Sequence, residues 1–123
     1  MSMSLSYDPN NIFAKILRGE IPAKKIYEDE YALAFHDLYP KAPVHALIIP
    51  KGEYTDIVDF GLHADAISAK GFWQAVAKVA GELGIAENGF RLISNCRDHG
   101  GQEVPHFHVH LLGGQQMGPM VAH

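Results

Sequence analysis

Histidine alternates with apolar residues near the end of the chain, in the run His106-Phe107-His108-Val109-His110-Leu111-Leu112. Successive side chains of a β-strand point to opposite faces of a sheet, so this alternation predicts a strand at 106–112. The apolar side chains are expected to face a buried core, and the three histidines to share the opposite face. The fold is therefore expected to contain a sheet with a row of imidazoles on one side.

Five strands and two helices are predicted from hydrophobic periodicity and from the positions of glycine and proline. Asn10 and Asn11 are expected to cap a short helix that Gly19 ends, and Gly84 is expected to end a long helix over about 64–83. The strands are expected at 25–28, 31–36, 45–49, 90–95 and 106–112, with a polar loop at 96–105. Strands joined by short turns, with one long and one short helix, indicate an antiparallel α+β fold. Residues 1–123 are expected to form a single domain.

Charge and composition narrow the expected partners and compartment. The formal net charge is −4, with 14 acidic and 10 basic residues, so long-range attraction to nucleic acid or to an anionic membrane is not expected. Cys96 is the single cysteine, no segment is apolar over the length of a bilayer, and the first ten residues lack the pattern of a secretory signal. These features predict a soluble, cytoplasmic protein. An anionic ligand would have to be attracted by a local site.

Three explanations for the histidine row remain open from the residues alone. The first is a solvated strand face that happens to use histidine. The second is a zinc site, because two histidines two residues apart on a strand, with a third ligand, can hold the metal tetrahedrally. The third is phosphoryl or nucleotidyl chemistry, in which a neutral imidazole attacks phosphorus while its neighbours supply protons and charge.

The loop before the histidine strand favours the phosphorus chemistry. Gly100 and Gly101 lie just upstream of the histidines, and Asn95 ends the preceding strand. Glycines let backbone N–H groups come close to an anion, as a phosphate site requires. Arg97 and His99 could add cationic contacts. The loop is therefore predicted to hold a phosphate group.

The histidine run resembles the signature of the histidine-triad family, His-x-His-x-His followed by two apolar residues. The similarity extends over nearly the whole chain, through the segments 12–16, 20–22, 34–37, 42–45, 49–50 and 100–102. Within that family the chain is similar to the histidine-triad nucleotide-binding branch, and the segment from Leu112-Gly113-Gly114 onward resembles its bacterial members.

The resemblance implies a fold in which a five-stranded antiparallel sheet continues across a homodimer. It also implies hydrolysis of purine nucleoside phosphoramidates and related acyl-nucleotides, through a nucleotidyl-histidine intermediate that water converts to nucleoside monophosphate. No metal or other cofactor is implied. The expected partners are a purine nucleotide and a second copy of the chain, which would also cover an open sheet edge.

By position, the resemblance makes His108 the nucleophile on the α-phosphorus, with His45, His106 and His110 around the phosphate. Asp37 would accept hydrogen bonds from the ribose hydroxyls, a suitable role for a group that only accepts. Without the resemblance, Asp37 could be a turn residue, and Phe13 and Phe35 could be core residues. The residues expected to bind the nucleotide are Phe13, Ile16, Ile21, Phe35, His36, Asp37, Leu38, Asn95, Gly101 and Gln102.

Glu103 is the one departure from part of the family, because animal members carry a serine there that helps to protonate the leaving group. Bacterial relatives resemble this chain in carrying glutamate. Glu103 could donate a proton if it were buried, or it could be a solvated loop residue. The clustered imidazoles are expected to titrate together, with some neutral and others cationic, so that a protonated neighbour could assist the departing amine.

Other functions remain as alternatives. One is a dinucleoside polyphosphate hydrolase or nucleotidyl transferase, which the wider superfamily also contains. The other belongs to a different class: a nucleotide-binding adaptor whose catalysis is incidental and whose surface binds protein partners.

Overall fold

A computed structural model describes residues 6–121 of the chain, as five strands and four helices. The helices are α1 (Ile12–Leu17), α2 (Ile57–His63), α3 (Ala66–Glu82) and α4 (Arg97–Gly100). The strands are β1 (Lys25–Glu28), β2 (Ala32–His36), β3 (Val44–Pro50), β4 (Arg91–Ile93) and β5 (Val109–Gly113). Within the described range, no helix has the length and apolarity needed to cross a membrane.

The strands form one antiparallel sheet in the order β1-β2-β3-β5-β4, which confirms the predicted α+β class. The last strand in the chain, β5, lies between β3 and β4. His110 is consequently opposite Leu47 on one side and Ile93 on the other. This insertion places a histidine in the interior of the sheet rather than at its edge.

One face of the sheet packs against α3 and forms the larger part of the core. Phe107, Val109 and Leu111 are all fully buried there, among the α3 side chains Phe72 and Val79. The apolar half of the histidine run therefore has the burial that its alternation predicted. Because side chains alternate along a strand, His110, which lies between Val109 and Leu111 in β5, points to the other face.

The second face carries α1 and a smaller apolar cluster. His45 alternates with Leu47 and Ile49 along β3, so it lies on this face with them. His110, opposite Leu47, lies here as well. The apolar cluster consists of Phe13, Ile16, Leu33, Phe35, Leu47 and Ile49. The histidines thus border a second, smaller core.

Side chains cap the two predicted helices. Oδ1 of Asn11 accepts a hydrogen bond from the Ala14 amide at 2.8 Å, so the predicted cap of α1 is confirmed. Asp65 caps α3 in the same way through the Ser68 amide at 2.8 Å, so this helix begins slightly later than predicted.

Two short helices, α2 and α4, were not predicted, and α4 replaces part of the expected loop at 96–105. Their formation depends on a contact between distant segments. Asp56, 1% exposed, caps α2 through the Asp59 amide and also accepts a hydrogen bond from Nε of Arg97 in α4 at 2.7 Å. Helices this short are marginal by themselves, so such tertiary contacts decide whether they form.

Strand β5 begins at Val109, three residues later than predicted, because the preceding backbone bonds to other partners. The Phe107 amide donates to the carbonyl of Tyr54 at 2.8 Å. The carbonyl of His108 accepts from the Ser94 hydroxyl at 2.9 Å, so a side chain replaces a ladder bond where β4 was expected to continue. His106 and His108 therefore precede the strand.

Candidate active site

The ring of His108 is fixed by its own neighbour in the chain. Nδ1 of His108 donates to the carbonyl oxygen of His106 at 2.7 Å. Because a carbonyl only accepts, the proton of neutral His108 is on Nδ1, and Nε2 keeps its lone pair. Burial lowers the pKa of His108, against the opposing effect of this hydrogen bond and of the carboxylates of Asp37 and Glu103. The structure therefore provides a neutral imidazole with one unprotonated nitrogen.

His106 is fully buried, and both of its ring nitrogens bond within the chain. Nε2 donates to the carbonyl of Pro50 at 3.0 Å, and Nδ1 lies 2.7 Å from the hydroxyl of Tyr7. Burial lowers the pKa of His106 to about 4. The ring is enclosed because it lies at the turn into β5 rather than on an open strand face. A place for His106 beside the phosphate stays a prediction.

His45 and His110 form a second hydrogen-bonded pair. The Lys41 amide donates to Nδ1 of His45 at 3.0 Å, so the proton of neutral His45 is on Nε2, which is 2.9 Å from Nδ1 of His110. His110 accepts this proton at Nδ1 and therefore carries its own proton on Nε2. Its ring lies beside that of His108, with centroids 5.3 Å apart. His110 thus offers an N–H donor next to the ring of His108.

All four histidines of the site are held neutral at pH 7 by their surroundings. Burial and the nearby rings of His108 and His45 lower the pKa of His110 to about 4, and burial also lowers the pKa of His45. The lowered pKa values therefore do not support the expectation that some imidazoles of the cluster are cationic. The physical reason is that desolvation disfavours every charged form in this cluster.

Asp37 follows β2 and faces the His45–His110 pair. Its Oδ1 accepts from the Tyr39 amide at 2.7 Å, which is the turn contact that its sequence context allowed. Its Oδ2 lies 3.4 Å from Nε2 of His45. Asp37 is therefore both a turn residue and a member of the site, and its carboxylate retains lone pairs for a further donor.

One group of side chains within residues 6–121 could hold a metal ion. Asp37, His45 and His110 bring their ligand atoms within 4.8 Å of one another. A metal there would have to displace the His45–His110 hydrogen bond, and His108 lies outside the group. A metal held by these three residues would therefore not have His108 as a ligand.

The apolar residues predicted to bind the base are brought together in part. Phe13, Ile16 and Phe35 belong to one buried cluster, and Ile21 packs against it. The ring of Phe13 also meets that of His108 edge to face, with centroids 4.9 Å apart. Leu38, also predicted to line the base pocket, lies outside this cluster and is 76% exposed. His36, predicted to bind the nucleotide, is exposed at the end of β2.

The glycine pair is used structurally in the loop after β4. A Cβ on Gly100 would lie 3.3 Å from the carbonyl carbon of Asn95, and Gly101 ends α4 with a φ of 73°, in the left-handed region that glycine favours. The amides of Gly100, Gly101 and Gln102 donate to carbonyls of Cys96, Asp98 and Arg97. The predicted phosphate loop therefore has these three N–H groups already bonded.

The polar side chains of this loop are also largely committed. The side-chain Nε2 of Gln102 donates to the carbonyls of Thr55 and Val104, and its Oε1 accepts from the backbone N–H of Arg97. The guanidinium of Arg97 binds Asp56 rather than facing the histidines. Asn95 is half-buried and Glu103 is exposed, so Glu103 is not a buried acid. Roles for Asn95, Gly101 and Gln102 toward a nucleotide remain predictions.

Three residues that the sequence did not single out complete the site. Tyr7 bonds to His106, Lys41 fixes His45 through its backbone, and Ser94 bonds to the carbonyl of His108. None of the three lies in a motif that pointed to the histidines. Pro50, which ends β3, likewise bonds to His106 through its backbone carbonyl, a contact that no side-chain pattern could predict.

Comparison with known proteins agrees with this geometry. A family model described as the HIT domain matches residues 18–117. An uncharacterised HIT-like protein of Azospirillum brasilense is 53% identical over 119 residues, which are 97% of this chain and 98% of that protein. The purine nucleoside phosphoramidase of Escherichia coli K12 is 50% identical over 113 residues, which are 91% of this chain and 93% of that protein.

Solved structures give the same result. A HIT family hydrolase from Clostridium thermocellum superposes with a TM-score of 0.83 at 45% identity, covering 92% of this chain and 97% of that one. A HIT family hydrolase from Legionella pneumophila superposes with a TM-score of 0.81 at 45% identity, covering 89% and 96%. With its histidine run in the place described above, this chain belongs to the HIT, or histidine-triad, domain family.

Proposed function

We propose that the protein is a hydrolase of purine nucleoside phosphoramidates and that His108 is its nucleophile. The observation that carries the proposal is the hydrogen bond from Nδ1 of His108 to the His106 carbonyl, which leaves Nε2 as a free base. The relatives support the substrate class, since one of them, at 50% identity, is named a purine nucleoside phosphoramidase.

In the first step, the lone pair on Nε2 of His108 attacks the α-phosphorus, and the P–N bond to the amine breaks. The departing nitrogen takes up a proton, which Glu103 is proposed to relay from solvent because its side chain is exposed and its charge raises the pKa of His108. The imidazole gains positive charge as the bond to phosphorus forms. The hydrogen bond to the His106 carbonyl then becomes charge-assisted and stronger, which favours the transition state over the ground state.

In the second step, water attacks the same phosphorus and the P–Nε2 bond breaks. Nucleoside monophosphate leaves, the water proton passes to solvent, and His108 returns to its neutral form. The N–H on Nε2 of His110 is proposed to donate to a phosphoryl oxygen in both steps, since the two rings are adjacent.

The nucleotide is proposed to lie with its ribose at Asp37 and its base against the α1 side of the site. The contacts in favour are the half-buried carboxylate of Asp37 beside His45 and the shared cluster of Phe13, Ile16 and Phe35. His36 and Leu38, both exposed, are proposed to contact the nucleotide from its solvent side.

A second copy of the chain is proposed to cover the edge strand β4. This strand has one free edge, and its neighbourhood exposes Phe90, Leu92 and Ile93 by 36 to 38% each. An open edge with apolar side chains favours pairing with another strand. Sedimentation should find a dimer at working concentration, and a monomer throughout would reject this part of the proposal.

Rapid-quench intact-mass analysis with adenosine 5′-phosphoramidate tests the chemistry. A nucleotidyl adduct should appear on the wild type and be absent from His108→Ala, whose turnover should fall by about a thousandfold or more while AMP still binds. His63→Ala, the same change at an exposed position on α2, should behave as the wild type.

Three results would favour a different function. Loss of activity on chelation, with no adduct, would favour the metal site at Asp37, His45 and His110. Faster cleavage of a diadenosine polyphosphate than of the phosphoramidate would favour the dinucleoside hydrolase. Binding of AMP with negligible turnover on either substrate would favour the adaptor.

A further inference from the structure

Tyr7 lies beside the most deeply buried histidine of the site. Its hydroxyl is 2.7 Å from Nδ1 of His106, which follows 99 positions later in the chain. The two rings meet edge to face, with centroids 5.6 Å apart. Tyr7 itself is half-buried, and the chemistry described above does not use it.

The direction of this hydrogen bond follows from the other nitrogen of the ring. Nε2 of His106 lies 3.0 Å from the carbonyl of Pro50, which only accepts, so Nε2 carries the proton. Nδ1 of the neutral ring is then an acceptor, and the Tyr7 hydroxyl is the donor. Among residues 6–121, no buried side-chain nitrogen or oxygen lacks a hydrogen-bond partner. For Nδ1 of His106, that partner is the Tyr7 hydroxyl.

The position of the His106 ring bears directly on the nucleophile. The backbone carbonyl of His106 accepts the Nδ1 proton of His108 at 2.7 Å, so a displacement of His106 displaces the acceptor that orients His108. Without the Tyr7 hydroxyl, Nδ1 of His106 would be a buried acceptor with no donor. The ring would have to turn or admit water, and either change moves the residue.

We infer that Tyr7 is a positioning residue for the nucleophile, acting through His106 to hold the carbonyl that orients His108. The inference rests on the proposed attack by His108. Tyr7 contributes no atom to the reaction, so its loss should slow the attack on phosphorus while leaving nucleotide binding intact.

Tyr7→Phe keeps the ring and removes only the donor. In a single turnover with adenosine 5′-phosphoramidate, nucleotidylation of His108 should slow by about tenfold, because a small misplacement of a reacting group is costly. The Kd for AMP should stay within about twofold of the wild type. Tyr27→Phe is the matched control: it removes a hydroxyl that donates to Asp29 at 2.8 Å in the β1–β2 hairpin, and it should leave the rate unchanged.

Two outcomes would overturn the inference: a Tyr7→Phe rate within about twofold of the wild type, or an AMP affinity that falls by the same factor as the rate. A proton NMR signal from Nδ1 of His108 separates this inference from the proposed function. If the wild type forms no adduct, the proposed function fails; a signal that shifts or broadens in Tyr7→Phe but not in Tyr27→Phe would still support the positioning role. An unchanged signal would reject it.

Discussion

The carbonyl oxygen of His106 accepts the Nδ1 proton of His108 at 2.7 Å, so two histidines of one run have different surroundings. The ring of His106 is fully enclosed and bonded at both nitrogens, whereas His108 keeps an unprotonated Nε2. The alternation in the sequence makes these residues look equivalent. The difference between them depends on where the chain enters β5.

Nucleotidylation should persist in acid further than an ordinary histidine would allow. Burial lowers the pKa of His108 below the usual 6.5, so the neutral form, which is proposed to attack, still predominates at pH 6.5. Single-turnover rates measured across the acid range should decline with a midpoint below pH 6.5. A decline centred at 6.5 or higher would contradict the assignment.

The free energy of unfolding should decrease as the pH falls below about 6.5. The pKa of His106 is lowered to about 4 in the folded protein, so between these values the unfolded chain binds a proton that the folded one does not. The contribution of His106 to the free energy of unfolding is complete above its pKa in the unfolded chain, about 6.5. Below that pH, this contribution decreases by up to about 1.4 kcal/mol per pH unit. His110 is less buried, so solvent screens its charge more and its contribution to this pH dependence is smaller.

Urea unfolding between about pH 6.5 and 5 measures this loss above the range of most carboxylates. An NMR titration of the folded protein should show that His106 remains neutral across the same range. A free energy that does not change over this range would show that the buried histidines contribute no such linkage.

Asp37→Asn should weaken binding of AMP by about tenfold and binding of 2′-deoxy-AMP much less. The carboxylate can accept hydrogen bonds from both ribose hydroxyls of AMP, whereas 2′-deoxy-AMP lacks one of them. The amide oxygen of asparagine can still accept from the Tyr39 amide, so the turn should be kept. Isothermal titration of both nucleotides compares them directly. Equal weakening would remove the ribose from the role of Asp37.

Asp56→Ala should destabilise the protein by about 2 kcal/mol, since it removes a helix cap and the partner of the Arg97 guanidinium together. Asp65→Ala, which removes a cap from α3 without a long-range partner, should cost less in urea unfolding. If the two variants lose the same stability, the contact between α2 and α4 contributes nothing measurable.

Phe13→Leu should lower the rate of nucleotidylation more than Phe35→Leu does. Both residues lie in the same buried cluster, but Phe13 also meets the His108 ring with centroids 4.9 Å apart. Truncation to alanine at either site should cost about 3 kcal/mol or more, so leucine is the more informative change. Equal rates in the two variants would show that the aromatic contact does not position the nucleophile.

Much of the fold could be predicted from local patterns. The α+β class, β1, the cap of α1 at Asn11 and the burial of Phe107, Val109 and Leu111 all follow from periodicity or capping chemistry. Helix α4 could not be predicted in this way, because it has no side-chain cap and its Arg97 bonds to Asp56, which is distant in the chain. Helix α2 was missed although Asp56 gives it a local cap. The cytoplasmic location stays a prediction.

The sequence by itself determined that a sheet would present histidines on the face opposite a core, because side-chain alternation is a property of the extended backbone. It also determined which residue types could meet there. Only the tertiary structure decided which histidine is enclosed, which nitrogen of His108 is free and that the glycine-loop amides are occupied. Each of these depends on a hydrogen bond to a distant partner or on desolvation, neither of which is a property of local sequence.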